Sequence, residues 1–150
     1  MTHHDVVENL IKTQYGDNPY IKFLEVGVLE GYMERFLISK FDNIEITCVD
    51  KNGSPFSEQE SKRIKHIEGL SSVVASSFCE KTFDFVWLDG SHEYNDVMED
   101  IKKYKPLVKN HGIFGGHDYH ETHGVIKALR DSLIDPILAP DLAWYTQVKY

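Results

Sequence analysis

The 150-residue chain is poor in sulfur, in basic charge and in long apolar runs, and each shortage removes a class of protein. Its two cysteines, Cys48 and Cys79, have no CxxC spacing, so neither a disulfide framework nor a thiolate zinc site is expected, and both read as reduced core thiols. Sixteen Lys and Arg against 24 Asp and Glu leave a net charge of −8, with no basic patch. A sequence-independent grip on nucleic acid is therefore not expected. No apolar stretch approaches a membrane span, and the opening MTHHDVVENL lacks the basic and apolar parts of a secretory signal, so a cytoplasmic protein without a membrane partner is expected. There is no repeat, linker or low-complexity tract, and a 41% hydrophobic chain of this length fits one domain, residues 1–150, with its own core.

What is present is an alternation of short apolar runs and amphipathic stretches. Asp5 can cap a first helix carrying Val6, Val7, Leu10 and Ile11, which Gly16, Asn18 and Pro19 end. Strands are expected over residues 21–26, 44–50, 64–68 and 83–88, and at Ile113 and Phe114 after a turn at Asn110, His111 and Gly112. Helical spacing marks Met33, Phe36, Leu37 and Phe41 behind Gly31. It also marks Tyr94, Val97, Met98, Ile101 and Tyr104, and then Val125, Ile126, Leu129 and Leu133. Residues 57–63 and 71–80 read as short helices. The last segment, broken by Pro140, ends as an alternating strand with no helix before it, so it is expected to run antiparallel. The pattern predicts an α/β fold with a doubly wound, mostly parallel sheet and the last strand antiparallel.

The chemistry-bearing stretch is residues 83–94, FDFVWLDGSHEY, where a buried strand stops at Asp89, Gly90, Ser91 and His92. Charged groups at the carboxyl edge of an open α/β sheet lie where ligands bind. Asp89 acting only as a helix cap is the plain alternative, and it leaves His92 unexplained. A second strand also ends on a carboxylate, Asp50, at the interval after the first glycine turn where an acid can hold a ribose diol. That turn, EVGVLEG, spaces its glycines as ExGxxxG, which suits a ligand with an amino group and no phosphates. His111, His120 and His123 match no zinc motif and read as surface or loop residues, and His3, His4 and His66 carry no pattern. Trp144 and Tyr145 can pack or wall a pocket.

With these features the chain resembles the class I S-adenosylmethionine-dependent methyltransferases over nearly its whole length. More narrowly, DGSHEY at 89–94, KNHGIFGGHDY at 109–119 and HGVIKAL at 123–129 resemble small-molecule O-methyltransferases, including metal-dependent sugar methyltransferases of antibiotic pathways and relatives of a cephalosporin-modifying protein. The resemblance implies S-adenosyl-L-methionine as cofactor. It puts Glu25, Gly27, Val28 and Gly31 around its methionine part, Asp50 and Lys51 at its ribose, and Gly69, Leu70 and Ser71 near its adenine, with Asp89 at the reacting end. Related chains often carry an acid where Leu70 stands, so backbone groups of Leu70 and Ser71 are expected to read the ring.

The resemblance also makes Asp89 a metal ligand and His92 the general base, with His117 and Asp118 as the pair that closes the site. Mg or Mn is the implied ion, and His117 as a third ligand tilts the set toward Mn, Fe or Zn. The expected substrate is a hydroxylated, sugar-like small molecule. No nucleobase-type motif of Asn or Asp, two prolines and an aromatic follows the strand. Two other readings stand beside this one. A cofactor-binding module or subunit without catalysis is suggested by brevity, its acceptor lid coming from a second copy or another protein. A metal-dependent hydroxylase or hydrolase on the same fold is the third.

Overall fold

The computed structural model describes residues 1–150. Its order is α1 (His3–Tyr15), β1 (Lys22–Val26), α2 (Tyr32–Lys40), β2 (Glu45–Asp50), β3 (Ile64–Glu68), α3 (Ser71–Val74), β4 (Phe83–Leu88), α4 (Tyr94–Tyr104), β5 (Val108–Gly116), α5 (Val125–Asp131), β6 (Ile137–Ala139) and β7 (Ala143–Gln147). The seven strands form one sheet in the order β3-β2-β1-β4-β5-β7-β6. β1 to β5 pair in parallel, while β7 runs antiparallel to both β5 and β6.

Side-chain alternation along the central strands divides the core between two sheet faces. Phe23, Phe85 and Trp87 pack with Val7, Ile11, Leu37 and Phe41 of the α1 and α2 layer. Leu24, Val26, Val86 and Leu88 pack with Val97, Ile101, Tyr104 and Leu129 of the α4 and α5 layer. No helix is long and apolar enough to cross a membrane.

Several local expectations shift. Thr2, rather than Asp5, is the N-cap of α1, and Asp5 answers from the third helical position by accepting the Thr2 N–H at 2.8 Å, a capping box. Residues 110–112 do not end a strand. They bulge within β5, where Phe83 pairs with Val108 and Phe85 with Ile113, and His111 takes a φ of 67°. Leu133 is not on the buried stripe of α5. The helix stops at Asp131, Leu133 turns into solvent at a φ of 57°, and Ile134 takes the buried place. Residues 57–63 contain a single 3-10 turn at Glu60–Lys62. Cys48 is buried as expected, but Cys79 is exposed, and both are free thiols.

The chain leaves β1 toward β2 and β3 on one side, then returns to β4 and β5 on the other, so the switch point lies between the carboxyl ends of β1 and β4. Gly27 shapes that gap. The Asp89 N–H donates to the Val26 carbonyl at 2.8 Å and the Gly27 N–H to the Val49 carbonyl at 2.8 Å, which draws the three strand ends together. A Cβ at Gly27 would collide with the backbone of Asp89 and Gly90, and its φ of +91° is one that L side chains rarely adopt. Gly27→Ala is expected to cost at least about 2 kcal/mol in urea unfolding. The control Gly53→Ala, with open space around it, is expected to stay within about 0.5 kcal/mol.

Candidate active site

Beyond the carboxyl ends of β1, β2 and β4 lies a cleft of about 610 Å³. Of the expected cofactor contacts, Gly27, Asp50, Lys51, Leu70, Ser71 and Asp89 line it, together with Gly69. Its wall carries five carboxylates, Asp50, Asp89, Asp96, Glu99 and Asp100, against the single cation Lys51. Such a wall favours a cationic ligand and repels phosphates.

Asp50 does more than face the cleft. Its Oδ2 accepts the N–H groups of Val28 at 2.8 Å and Leu29 at 3.3 Å, and its Oδ1 accepts that of Asn52 at 2.8 Å. Partial burial pushes this carboxyl up, but the three donors outweigh it and hold it below its ordinary range. A carboxylate has about four acceptor positions, so three internal bonds leave Oδ1 with roughly one for a ligand hydroxyl.

Three expected contacts lie elsewhere. Val28 is buried against the α1 and α2 layer and reaches the site only through its N–H on Asp50. Gly31 is the left-handed N-cap of α2, against the Phe56 ring. Glu25 points to the opposite sheet face, because β1 alternates and Val26 already occupies the cleft side. There it is buried with Glu34, and each leaves carboxyl oxygen without a hydrogen-bond partner. Burial, then the neighbouring Glu34 carboxyl, raises Glu25 well above the carboxylate range, and burial raises Glu34 too. The pair is a proton-holding core element.

Around Asp89 the strand register assembles the expected metal ligands. Leu88 pairs with Gly116, and the His117 N–H donates to the Leu88 carbonyl at 3.0 Å, so the residues following β4 and β5 emerge side by side. His117 Nδ1 lies 3.5 Å from Asp89 Oδ1 and 3.4 Å from Asp118 Oδ1. Asp118 holds a left-handed φ of 62°, a conformation Asp tolerates. Burial opposes a charge on His117, but Asp118 and Asp89 outweigh it and push its pKa up to about 10, while His117 in turn lowers Asp118. Two carboxylates and one imidazole are a donor set that divalent cations accept, and their donor atoms cluster closely enough to share one.

Asp89 is not a helix cap. Glu93 holds the N-cap of α4 without a side-chain bond, and Asp89 has its imidazole neighbours instead. His92 does not line the cleft; it is half exposed, its ring stacked on His123 with centroids 4.2 Å apart. Trp144 is packed against Phe114 and donates its indole N–H to the His117 carbonyl at 3.2 Å, so it supports the site from beneath.

Three residues of this region carried no sequence signal that was read. His3 and Asp141 arrive from the start of α1 and the turn between β6 and β7, and no spacing links them. Asp100 had a signal: it interrupts the Val97, Ile101, Tyr104 stripe of α4, where a carboxylate has no reason to be buried unless it has a partner. That partner is Ser71, whose hydroxyl donates to Asp100 Oδ1 at 2.6 Å.

Residues 24–119 match a family described as a methyltransferase domain. The uncharacterized protein R132 of Acanthamoeba polyphaga mimivirus is 23% identical over 134 residues, 79% of this chain and 60% of that protein. Among solved structures, the MycE methyltransferase of the mycinamycin biosynthetic pathway, in complex with Mg and SAH, superposes with a TM-score of 0.72 at 17% identity, covering 97% of this chain and 49% of that one. A Staphylococcus aureus structure described as a caffeoyl-CoA O-methyltransferase gives 0.72 at 19% identity, covering 99% and 83%. The chain thus spans about half the length of MycE and three fifths of the viral relative.

Asp100 makes a test of the site's electrostatics. Burial raises its pKa to about 6, above the roughly 3.9 of an unfolded chain, so the folded form holds this proton more tightly. The resulting loss of stability begins above about pH 4 and is complete above about pH 6. Asp100→Asn keeps an acceptor for Ser71 and removes the titration, so urea unfolding should find it about 2 kcal/mol more stable than wild type at pH 8 and equal to it at pH 4. With the match over residues 24–119 and the β3-β2-β1-β4-β5-β7-β6 sheet, the chain belongs to the class I family of S-adenosylmethionine-dependent methyltransferase domains.

Proposed function

We propose that the protein transfers the methyl group of S-adenosylmethionine to a hydroxyl of a sugar-like small molecule, with a divalent cation, Mg or Mn, at the reacting end. The observation that carries this reading is the convergence of Asp89, His117 and Asp118, of which Asp89 also lines the acid-walled cleft. A sulfonium bearing an amino-acid tail presents two positive charges and one carboxylate, a net cation that the five carboxylates favour. MycE, whose structure contains Mg and SAH, has the same fold and supports a metal-assisted methyl transfer, and the Staphylococcus aureus structure described as an O-methyltransferase supports oxygen as the acceptor.

In this reading Asp50 holds a ribose hydroxyl through the free position on Oδ1 while its other bonds keep the glycine turn in place. Leu70 and Ser71 offer backbone groups to the adenine, with the Asp100 carboxylate on the same wall. Asp89 and Asp118, with His117 beside them, are the residues that would hold the cation, which when bound supplies Lewis acidity for the charge developing on the acceptor oxygen. His92, next in the chain to the cleft-lining Ser91, takes the hydroxyl proton on an imidazole nitrogen. Holding acceptor and donor in line supplies much of the acceleration.

Calorimetric titration with S-adenosylhomocysteine, followed by methyl transfer from labelled S-adenosylmethionine to a panel of sugars, tests the assignment. Micromolar binding and a metal-dependent product are expected, and failure to bind at high micromolar concentration would refute the reading. His92→Ala and Asp118→Asn should each lower turnover by roughly 10²- to 10⁴-fold while sparing cofactor affinity. Unchanged turnover would remove the assigned roles.

A further inference from the structure

The imidazole of His117 faces two groups of ligands. Its Nδ1 points at Asp89 and Asp118, as described above. Its Nε2 is buried, has no hydrogen-bond partner, and lies 3.8 Å from Asp141 Oδ2. On that same side stands His3, whose ring centroid is 4.1 Å from that of His117 and whose Nδ1 is 2.7 Å from Asp141 Oδ2. One donor atom from each of His3, His117 and Asp141 falls within 4.8 Å of the other two. From this geometry we infer that His3, His117 and Asp141 form a second metal site, selective for a borderline transition-metal dication such as Zn²⁺ over Mg²⁺.

Three features carry the inference. The donor set is two imidazoles and one carboxylate, which suits Zn²⁺ and its neighbours in the first transition series, whereas Mg²⁺ prefers oxygen. The spacing fits as well: bonds of about 2.0–2.2 Å in a tetrahedral shell put adjacent ligand atoms roughly 3.3 Å apart. The two N-to-O distances on Asp141, 2.7 and 3.8 Å, lie on either side of that value. The third feature is the surroundings. When a histidine ligates a metal through one nitrogen, its other N–H usually goes to a carboxylate, which fixes the tautomer and the ring. Here both rings have that arrangement, His117 Nδ1 toward Asp89 and Asp118, and His3 Nε2 toward Asp89 Oδ2 at 3.5 Å.

The site joins three separate parts of the chain: the first turn of α1, the end of β5 and the turn between β6 and β7. Asp141 is already positioned by accepting the backbone N–H of His3 at 2.8 Å. Binding there fastens α1 to the end of β5 and to the turn between β6 and β7, and it leaves the oxygens of Asp89 and Asp118 to a hard cation. The inference stands independently of methyl transfer.

Titration with Zn²⁺ by calorimetry, and with Co²⁺ by visible absorption, tests it on the whole chain. Wild type should bind one Co²⁺ with the intense d–d bands of a four-coordinate nitrogen and oxygen site, and Zn²⁺ should raise its melting temperature. His3→Ala and Asp141→Asn should each weaken Zn²⁺ by at least about 100-fold, more than losing an outer partner does, and abolish the Co²⁺ bands. S-adenosylhomocysteine affinity should not move in either variant. Equal Zn²⁺ affinity in wild type, His3→Ala and Asp141→Asn would overturn the inference, as would absence of stoichiometric Zn²⁺ binding to wild type. Failure of S-adenosylhomocysteine to bind wild type, with Zn²⁺ lost in both variants, would refute the methyltransferase reading and sustain this one.

Discussion

The structure depends on one close backbone contact, the approach of Asp89 and Gly90 against Gly27 at the switch point of the sheet. Because no Cβ stands between them, the ends of β1 and β4 lie close enough for the Asp89 N–H to bond the Val26 carbonyl. The Asp50 carboxylate then ties the turn after β1 to the end of β2 through two N–H bonds. Three strand ends are thereby held in register. The next pair, β4 and β5, extends that register to His117 and Asp118. Positions of the chemical groups follow from backbone pairing, so the site inherits the rigidity of the sheet.

Rigidity is matched by an electrostatic cost. The chain carries a net charge of −8, and five carboxylates face the single Lys51 on the cleft wall; Asp100 is buried on an otherwise apolar stripe, and Asp89 and Asp118 crowd one imidazole. On the opposite face Glu25 and Glu34 add a buried carboxyl pair. These groups oppose folding unless they hold protons or cations. His117 beside Asp89 and Asp118, Lys103 near Asp100 and Lys51 on the cleft wall are positive partners of these groups, and a cationic ligand or metal ion would relieve the remaining repulsion. A region that is locally costly and held by an unyielding scaffold is what binding sites commonly look like.

Most of the fold was legible because its signals are local. Strands β2 and β4 stand where runs of apolar and β-branched residues end in polar ones, and the antiparallel β7 follows from a final stretch with no helix before it. Errors arose where tertiary packing overrode a local cue. Asn110, His111 and Gly112 look like a turn but bulge within β5, since Val108 before them and Ile113 after them both pair with β4. Leu133 has helical spacing yet falls past the helix end, and Ile134 fills its place. At the site, Gly27, Asp50, Asp89, His117 and Asp118 were legible as residues closing strands. Glu25 was misplaced because a motif names a residue without stating which sheet face it takes. His3 and Asp141 were invisible, being 138 positions apart and joined only by folding.

The account is tested most directly by a crystal structure of the chain soaked with S-adenosylhomocysteine. It predicts the adenine beside Leu70 and Ser71, one ribose hydroxyl on Asp50 Oδ1 while Val28 and Leu29 keep their bonds to Oδ2, and the sulfur directed toward Asp89. A ligand held outside the cleft, or an Asp50 that abandons the glycine turn to bind it, would contradict the claim that the contact at Gly27 builds the site.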